Sequence, residues 1–492
     1  MSKMMVCYKR DLSKEIEFCN QFSAGIDCEI DGCTWHLQEV DASCVMCEAS
    51  GSSTKKKYCN HQLSVFDGKL LVFDYNGHRK RAIIQKSFIT TINLIPYDFP
   101  KKAKLFEFGQ ARGMQTISKF RALIRLPEGL SAPFFHNYFS HCVDESENLC
   151  CSVSSPNCLC ALNGLKVPLR NHDYLVYSYQ EKCGAVNQYL VVEALHEIEH
   201  KKFGEDIRRI LMVIGFFTGR YDLGQFWIFN AKTHGFISYD ACVWKRGTAK
   251  YHMFSLNPYD YFAEADKTLD VGKDIETKLR PITRIHFEKL MELLDNKEFS
   301  DMFYVFQDLI LNMNSLMTVT KLPVYVACLE MCNKWWEKEA GEHSHTALYS
   351  PQERKDIERK INEILDAEYG THPDTAICKR RIQKLFQPAN RNQLIEAFEG
   401  VGVVLSKEEK QAFELRNSVS HGNNVIQASF DVDNLNDFIC ETENTCFMFH
   451  SLIWRFIMKS IGYEGVYIDV PKLHDLFRSL KSNEEQPLMR EV

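Results

Sequence analysis

No signal peptide is expected, because charged residues break up the apolar ones in the opening stretch. The chain opens MSKMMVCYKRDLSKEIEF, where no apolar core of a signal peptide stands, so a cytoplasmic location is expected. Long apolar runs are missing as well. The run at 210–217 is far shorter than the ~20 residues a membrane helix needs, so no span is expected. Excess charge is modest: a formal net charge of -6 argues against a surface coated in basic charge for nucleic acid, and leaves room for a local basic site. A disulfide framework is not indicated either. The 19 cysteines are odd in number, scattered, and accompanied by no secretion signal, so they read as reduced thiols.

What is present is ordinary for a globular protein: 45% hydrophobic and 25% charged residues. A chain of 492 residues can form two or three domains with substantial cores. The expected class is α+β, with a β-rich, sandwich- or barrel-like region at 1–277, a helical bundle at 281–480 and a disordered tail at 481–492. In the first region, LSVF, KLLVFDY and HRKRAIIQ are separated by Asp67-Gly68 and Asn76-Gly77, which are strong hairpin signals. Further strands are expected at 104–108, 117–126, 174–179 and 189–194, then a helix over 203–218 and a hairpin around 225–244. After Pro281 the spacing turns helical, at 282–294, 303–313, 322–339, 376–386 and 391–399. A capping box at Ser350 and Glu353 starts another helix, and a long apolar one spans 433–461.

Chemistry concentrates in LRNSVSHGN at 415–423. Ser406 and Glu409 form a capping box, and Gly422 followed by Asn423 stops the helix that starts there. Asn417 and His421 are spaced i, i+4 and share a face, with Arg416 on the flank. An arginine fork binds phosphate oxygens, a histidine moves protons near neutral pH, and an asparagine supplies a donor and an acceptor. Those are the parts of a metal-free ribonuclease. The bland alternative is a His-Gly helix end with an arginine that suits the dipole.

Arg416-Asn417-x-x-x-His421-Gly422 resembles the R-N-x-x-x-H signature of the HEPN superfamily, and the flanking Leu415 and Gly422 resemble its ApeA-like branch. The resemblance covers the C-terminal two-fifths, roughly. It implies a metal-independent endoribonuclease, toxin-like or antiphage, that dimerises so that two motifs face each other. In that mechanism the ribose 2′-hydroxyl attacks, His421 acts as general base or acid, Arg416 stabilises the phosphorane and Asn417 positions His421 or a phosphate oxygen. RNA, tRNA among the candidates, is the expected substrate, and a phage-derived trigger is expected to act on the β-rich region. No cofactor is required. The competing readings are a catalytically silent HEPN dimerisation and binding module and, more weakly, a zinc protease.

Lys379, Arg380, Arg381 and Lys384 form the densest basic run near the motif. They read equally as an RNA-backbone contact or as a solvated helix face. Cys44, Cys47, Cys59 and His61 are candidate ligands for a structural zinc, with loose thiols the favoured alternative. Cys150, Cys151, Cys158 and Cys160 cluster in what reads as a polar loop. His196-Glu197-Ile198-Glu199-His200 spells H-E-x-x-H, but it follows a β-type run, and a strand end is the favoured reading over a zinc protease. Trp335, Trp336, Phe447 and Trp454 supply apolar surface for a dimer interface.

Overall fold

The computed structural model describes residues 6–30, 33–40, 44–49, 66–89, 102–110, 117–126, 149–155, 158–180, 188–218, 225–241, 280, 282–312, 318–340, 351–370, 372–385, 390–420, 435–472 and 489–492. The chain divides into two units: residues 1–295, 310–315 and 465–468 form one, and residues 296–309, 316–464 and 469–492 the other. A large, mostly antiparallel sheet in the N-terminal part and helices in the C-terminal part make the architecture α+β. No helix of the described residues is long and apolar enough to cross a membrane.

In chain order the first unit runs β1 (Val6–Asp11), α1 (Ser13–Ala24), β2 (Ile26–Ile30), β3 (Cys33–Val40), β4 (Cys44–Ala49), β5 (Leu70–Tyr75), β6 (His78–Ile89), β7 (Lys102–Gln110), β8 (Ile117–Ser118), β9 (Phe120–Arg125), β10 (Leu149–Ser155), β11 (Cys158–Leu169), β12 (His172–Gln180), β13 (Gln188–Ala194), β14 (Ile198–Glu199), α2 (His200–Thr218), β15 (Gln225–Asn230), β16 (Phe236–Ala241) and α3 (Arg284–Leu293). The main sheet has the order β1-β10-β11-β12-β13-β9-β15-β16-β7-β4-β3-β2-β5-β6. Its β1–β10 pair is parallel. β6 also pairs with β7, which closes β7, β4, β3, β2, β5 and β6 into a ring.

Local chemistry sets the turns. Asn76 and Gly77 both have positive φ, 48° and 74°, as the tight hairpin between β5 and β6 requires. Asp67 follows the buried Phe66 and accepts from the backbone and hydroxyl of Ser87, at 2.8 and 2.7 Å. Residues 63–65 of the expected LSVF strand lie outside the described residues. α1 buries Ile16, Phe18, Cys19 and Phe22 at helical spacing. Phe18 stacks on Phe236 at 4.9 Å, and Phe22 meets Trp227 at 4.7 Å, so α1 fills the apolar space between the ring and β15–β16. Its one buried charge is answered: Glu15 lies 2.5 Å from the Arg121 guanidinium and 3.1 Å from His234, while Arg121 and Arg10 share Glu193.

Several expectations change here. Cys150 and Cys151 sit on β10 and Cys158 and Cys160 on β11, two antiparallel strands where a loop was expected. The helix at Arg284–Leu293 belongs to the first unit, packed on β11, and the division between units falls after Asp295 rather than near 277. It starts at Thr283, whose backbone N–H donates to His286 Nδ1 at 2.8 Å. At the far end of the chain, Met489–Glu491 is a strand and Val492 is buried, where a disordered tail was expected from 481.

The second unit contains most of α4 (Lys297–Asn312), then α5 (Thr318–Ala340), α6 (Pro351–Tyr369), α7 (Thr375–Leu385), α8 (Asn390–Gly400), α9 (Lys407–Ser420) and α10 (Leu435–Ser460). α10 is the central helix. Phe449, Leu452, Ile453, Trp454, Phe456 and Ile457 are all buried, and it packs against α5. Phe456 contacts Trp335 and Phe398, and Phe413 contacts Phe398 and Phe449. Trp335 and Trp454 are therefore used inside this unit rather than spare for an interface.

Candidate functional site

α9 is built from its first turn. Ser406 caps it: the Glu409 backbone N–H donates to Ser406 Oγ at 3.2 Å, and the Ser406 N–H donates to Glu409 Oε2 at 2.7 Å. This is the reciprocal capping box read from the sequence. The second oxygen of Glu409 has another task. Arg455 of α10, wholly buried, donates from Nη1 to Glu409 Oε1 at 2.7 Å and from Nη2 to the Val404 carbonyl. Arg490 approaches the same Oε1 at 3.3 Å and Asp469 Oδ2 at 3.4 Å. Three donors thus meet one buried carboxylate. On the outer face Lys410 pairs with Glu399 of α8 at 2.7 Å.

Positions 416 and 417 lie in the last turn of α9, which ends at Ser420. Position 416 follows Glu409 at i, i+7, two turns along the same stripe as the buried Phe413. His421, the next residue, lies outside the described residues. Arg416 and Asn417 are therefore carried on one short helix whose opposite end is held by a cap and a buried ion network.

Sequence reasoning saw Glu409 only as a capping residue and missed its partners. A signal was present. Arg455 interrupts the apolar run LIWRFIM, and a charge there must find a buried partner. Removing one member of such a pair costs about 3–5 kcal/mol.

The basic run falls on α7. Lys379 Nζ is held by both oxygens of Asp366 on α6, at 2.5 and 2.7 Å, so this cation already has a carboxylate. Arg380, Arg381 and Lys384 lie on the same helix. The zinc candidates divide. Cys44 and Cys47 are both on β4, three positions apart. Cys59 and His61 lie outside the described residues. Among the described residues no group of three or more His, Cys, Asp or Glu could hold a metal ion.

The H-E-x-x-H string is broken by structure. Ile198 and Glu199 form β14, paired with β8, and α2 starts at His200. His200 Nε2 meets Ser238 Oγ at 2.9 Å, and burial lowers its pKa. His196 is exposed, 3.8 Å from Asp173. The two histidines never share a helix face, so the protease geometry is not formed.

One further perturbed acid lies in the first unit. Asp206 on α2 is wholly buried and accepts from the Tyr174 hydroxyl at 2.5 Å, with Arg170 Nη1 4.0 Å away. Burial raises the pKa of its carboxyl, and the Tyr174 hydrogen bond and Arg170 only partly oppose this. Arg170 and Arg209 both bind Asp295, at 3.0 and 2.8 Å.

No protein-family model, curated protein or solved structure matches the chain.

Proposed function

We propose that the chain is a metal-independent endoribonuclease of HEPN type, toxin-like and suited to antiphage abortive infection. Arg416, Asn417 and His421 would form its catalytic set. One observation carries the reading: positions 416 and 417 lie near the end of a helix that is capped by Ser406 and held by the buried Glu409–Arg455 pair, and His421 follows four residues after Asn417 in sequence. A phosphate-binding fork and a proton carrier have to be held in a fixed relation, and in this reading a helix fixed at its root carries the fork.

In the reaction the ribose 2′-oxygen attacks the adjacent phosphorus and the 5′-oxygen leaves. The products are a 2′,3′-cyclic phosphate and a 5′-hydroxyl. His421 takes the 2′-hydroxyl proton or returns one to the leaving oxygen, Arg416 neutralises the phosphorane, and Asn417 orients His421 or a phosphate oxygen. One histidine per chain cannot do both transfers at once, so the reading includes a homodimer in which a second motif supplies the other. The motif contains no carboxylate to hold a hard metal ion, so cleavage should run without one. In this reading the β-rich unit restrains the enzyme until a trigger arrives, and Arg380, Arg381 and Lys384 contact the RNA backbone.

The test is incubation of the purified protein with total RNA in excess chelator, followed by sequencing of the RNA ends. The expected result is cut RNA bearing cyclic phosphate ends, abolished by His421→Ala at unchanged thermal melting. A folded His421→Ala variant that cuts at the parent rate, or activity that requires added magnesium, sinks the assignment. A folded protein that cuts no RNA yet dimerises would leave the silent HEPN module as the better reading.

A further inference from the structure

Two buried carboxylates in the helical unit, Glu409 and Asp469, are bridged by one guanidinium. Arg490 Nη1 lies between Glu409 Oε1 and Asp469 Oδ2, with side-chain exposures of 28% for the arginine and 5% and 4% for the acids. Arg455 completes a set of two cations and two anions. Asp469 has as its other partners the Lys472 backbone N–H at 3.2 Å and Lys472 Nζ at 3.9 Å, so the guanidinium stands nearer to it than the Lys472 ammonium does. The bridge ties a strand at Met489–Glu491 to the first turn of α9.

The position of that turn matters at the other end of the helix. An α-helix of this length moves as a rod, and position 416 stands about 10 Å along the axis from Glu409. Between them Ala412 and Phe413 are buried.

We propose that Arg490 is a positioning residue for the motif helix: by joining Glu409 to Asp469 it fixes the first turn of α9, and thereby the placement of Arg416 and Asn417 at its far end. The segment 489–492 acts as a strap on that helix. The catalytic consequence rests on the ribonuclease reading, whereas the mechanical one does not.

The test uses the full chain with Arg490→Met, Arg490→Lys and Asp469→Asn. Amide exchange is followed over 410–420 with α5 and α10 as internal controls, beside kcat and KM on RNA. Arg490→Met should exchange at least tenfold faster over 410–420 with α5 and α10 unchanged. It should lose at least tenfold in kcat with KM within twofold of the parent. Arg490→Lys, which keeps the cation, should recover most of the protection. Asp469→Asn, which removes the far post of the bridge, should reproduce the local loosening, and it carries the test if Arg490→Met does not fold. Parent-like exchange over 410–420 in both folded variants overturns the proposal, and so does loosening spread equally over α5 and α10. A parent protein that cuts no RNA overturns the ribonuclease reading, and the exchange comparison then decides the strap alone.

Discussion

A charged atom in a protein interior reports what surrounds it. Asp206 is wholly buried with the Tyr174 hydroxyl on one oxygen and a guanidinium only at 4.0 Å, and burial holds its pKa above the ordinary carboxylate value of 3.8. The sign of the pH effect follows. Below the unfolded pKa the group is neutral in both states and adds no penalty. As pH rises past that value the unfolded chain releases the proton while the folded one keeps it, so stability falls until the raised folded pKa is reached and stays lower above it. Asp206→Asn keeps an acceptor for Tyr174 and has no proton to release. Its melting temperature should therefore lack this fall, and at neutral pH should equal or exceed the parent's. A variant that melts well below the parent at neutral pH would show that the ionised carboxylate is stabilising. At this scale the sequence was only partly legible. The capping box at Ser406 and Glu409 could be read because both residues lie within one turn. The partnership of Glu409 with Arg455 could not be read as a pair, because 46 residues separate them.

Among elements, the hairpin between β5 and β6 was readable for the same local reason. Gly77 has φ 74° and open space where a Cβ would stand, so substitution there is a test of backbone strain alone. Gly77→Ala should cost about 1 kcal/mol, seen as a lower urea midpoint at unchanged slope. An unchanged midpoint would mean that the turn does not set the hairpin's register. Strands whose pairing is distant were less legible. β10 and β11 carry Cys150, Cys151, Cys158 and Cys160 around Pro156, and composition pointed to a loop, while ladder pairing with β1 and β12 makes them strands. α1 was not legible because its apolar positions are few and its burial depends on distant aromatic residues, from Phe73 and Tyr75 to Trp227 and Phe236. The motif helix was legible from its cap, whereas the far strand that reaches it was read as a tail.

For the whole molecule, the ribonuclease reading requires two motifs in one particle. Trp335 and Trp454 are enclosed by their own chain, so they leave no surface for a second copy. Exposed apolar side chains do stand on α6 and α7: Ile364, Tyr369 and Ile377. Light scattering over a dilution series should give a dimer whose dissociation is matched by loss of RNA cleavage. Full activity in a monomer at the lowest concentration would refute the shared site, since one His421 would then suffice.

The packing of α1 also sets a clock. Phe18 and Phe22 touch Phe73, Tyr75 and Phe108, and their cover is completed by Trp227, Phe229 and Phe236 on β15 and β16. During synthesis the helix leaves the ribosome roughly 200 residues before the last of its cover, a delay of about 10–40 s at ordinary translation rates. For that interval a helix with two half-covered phenylalanines on one face can meet other apolar surfaces. The nascent chain is then a natural client for a chaperone, and a slow codon placed before residue 225 would lengthen the wait.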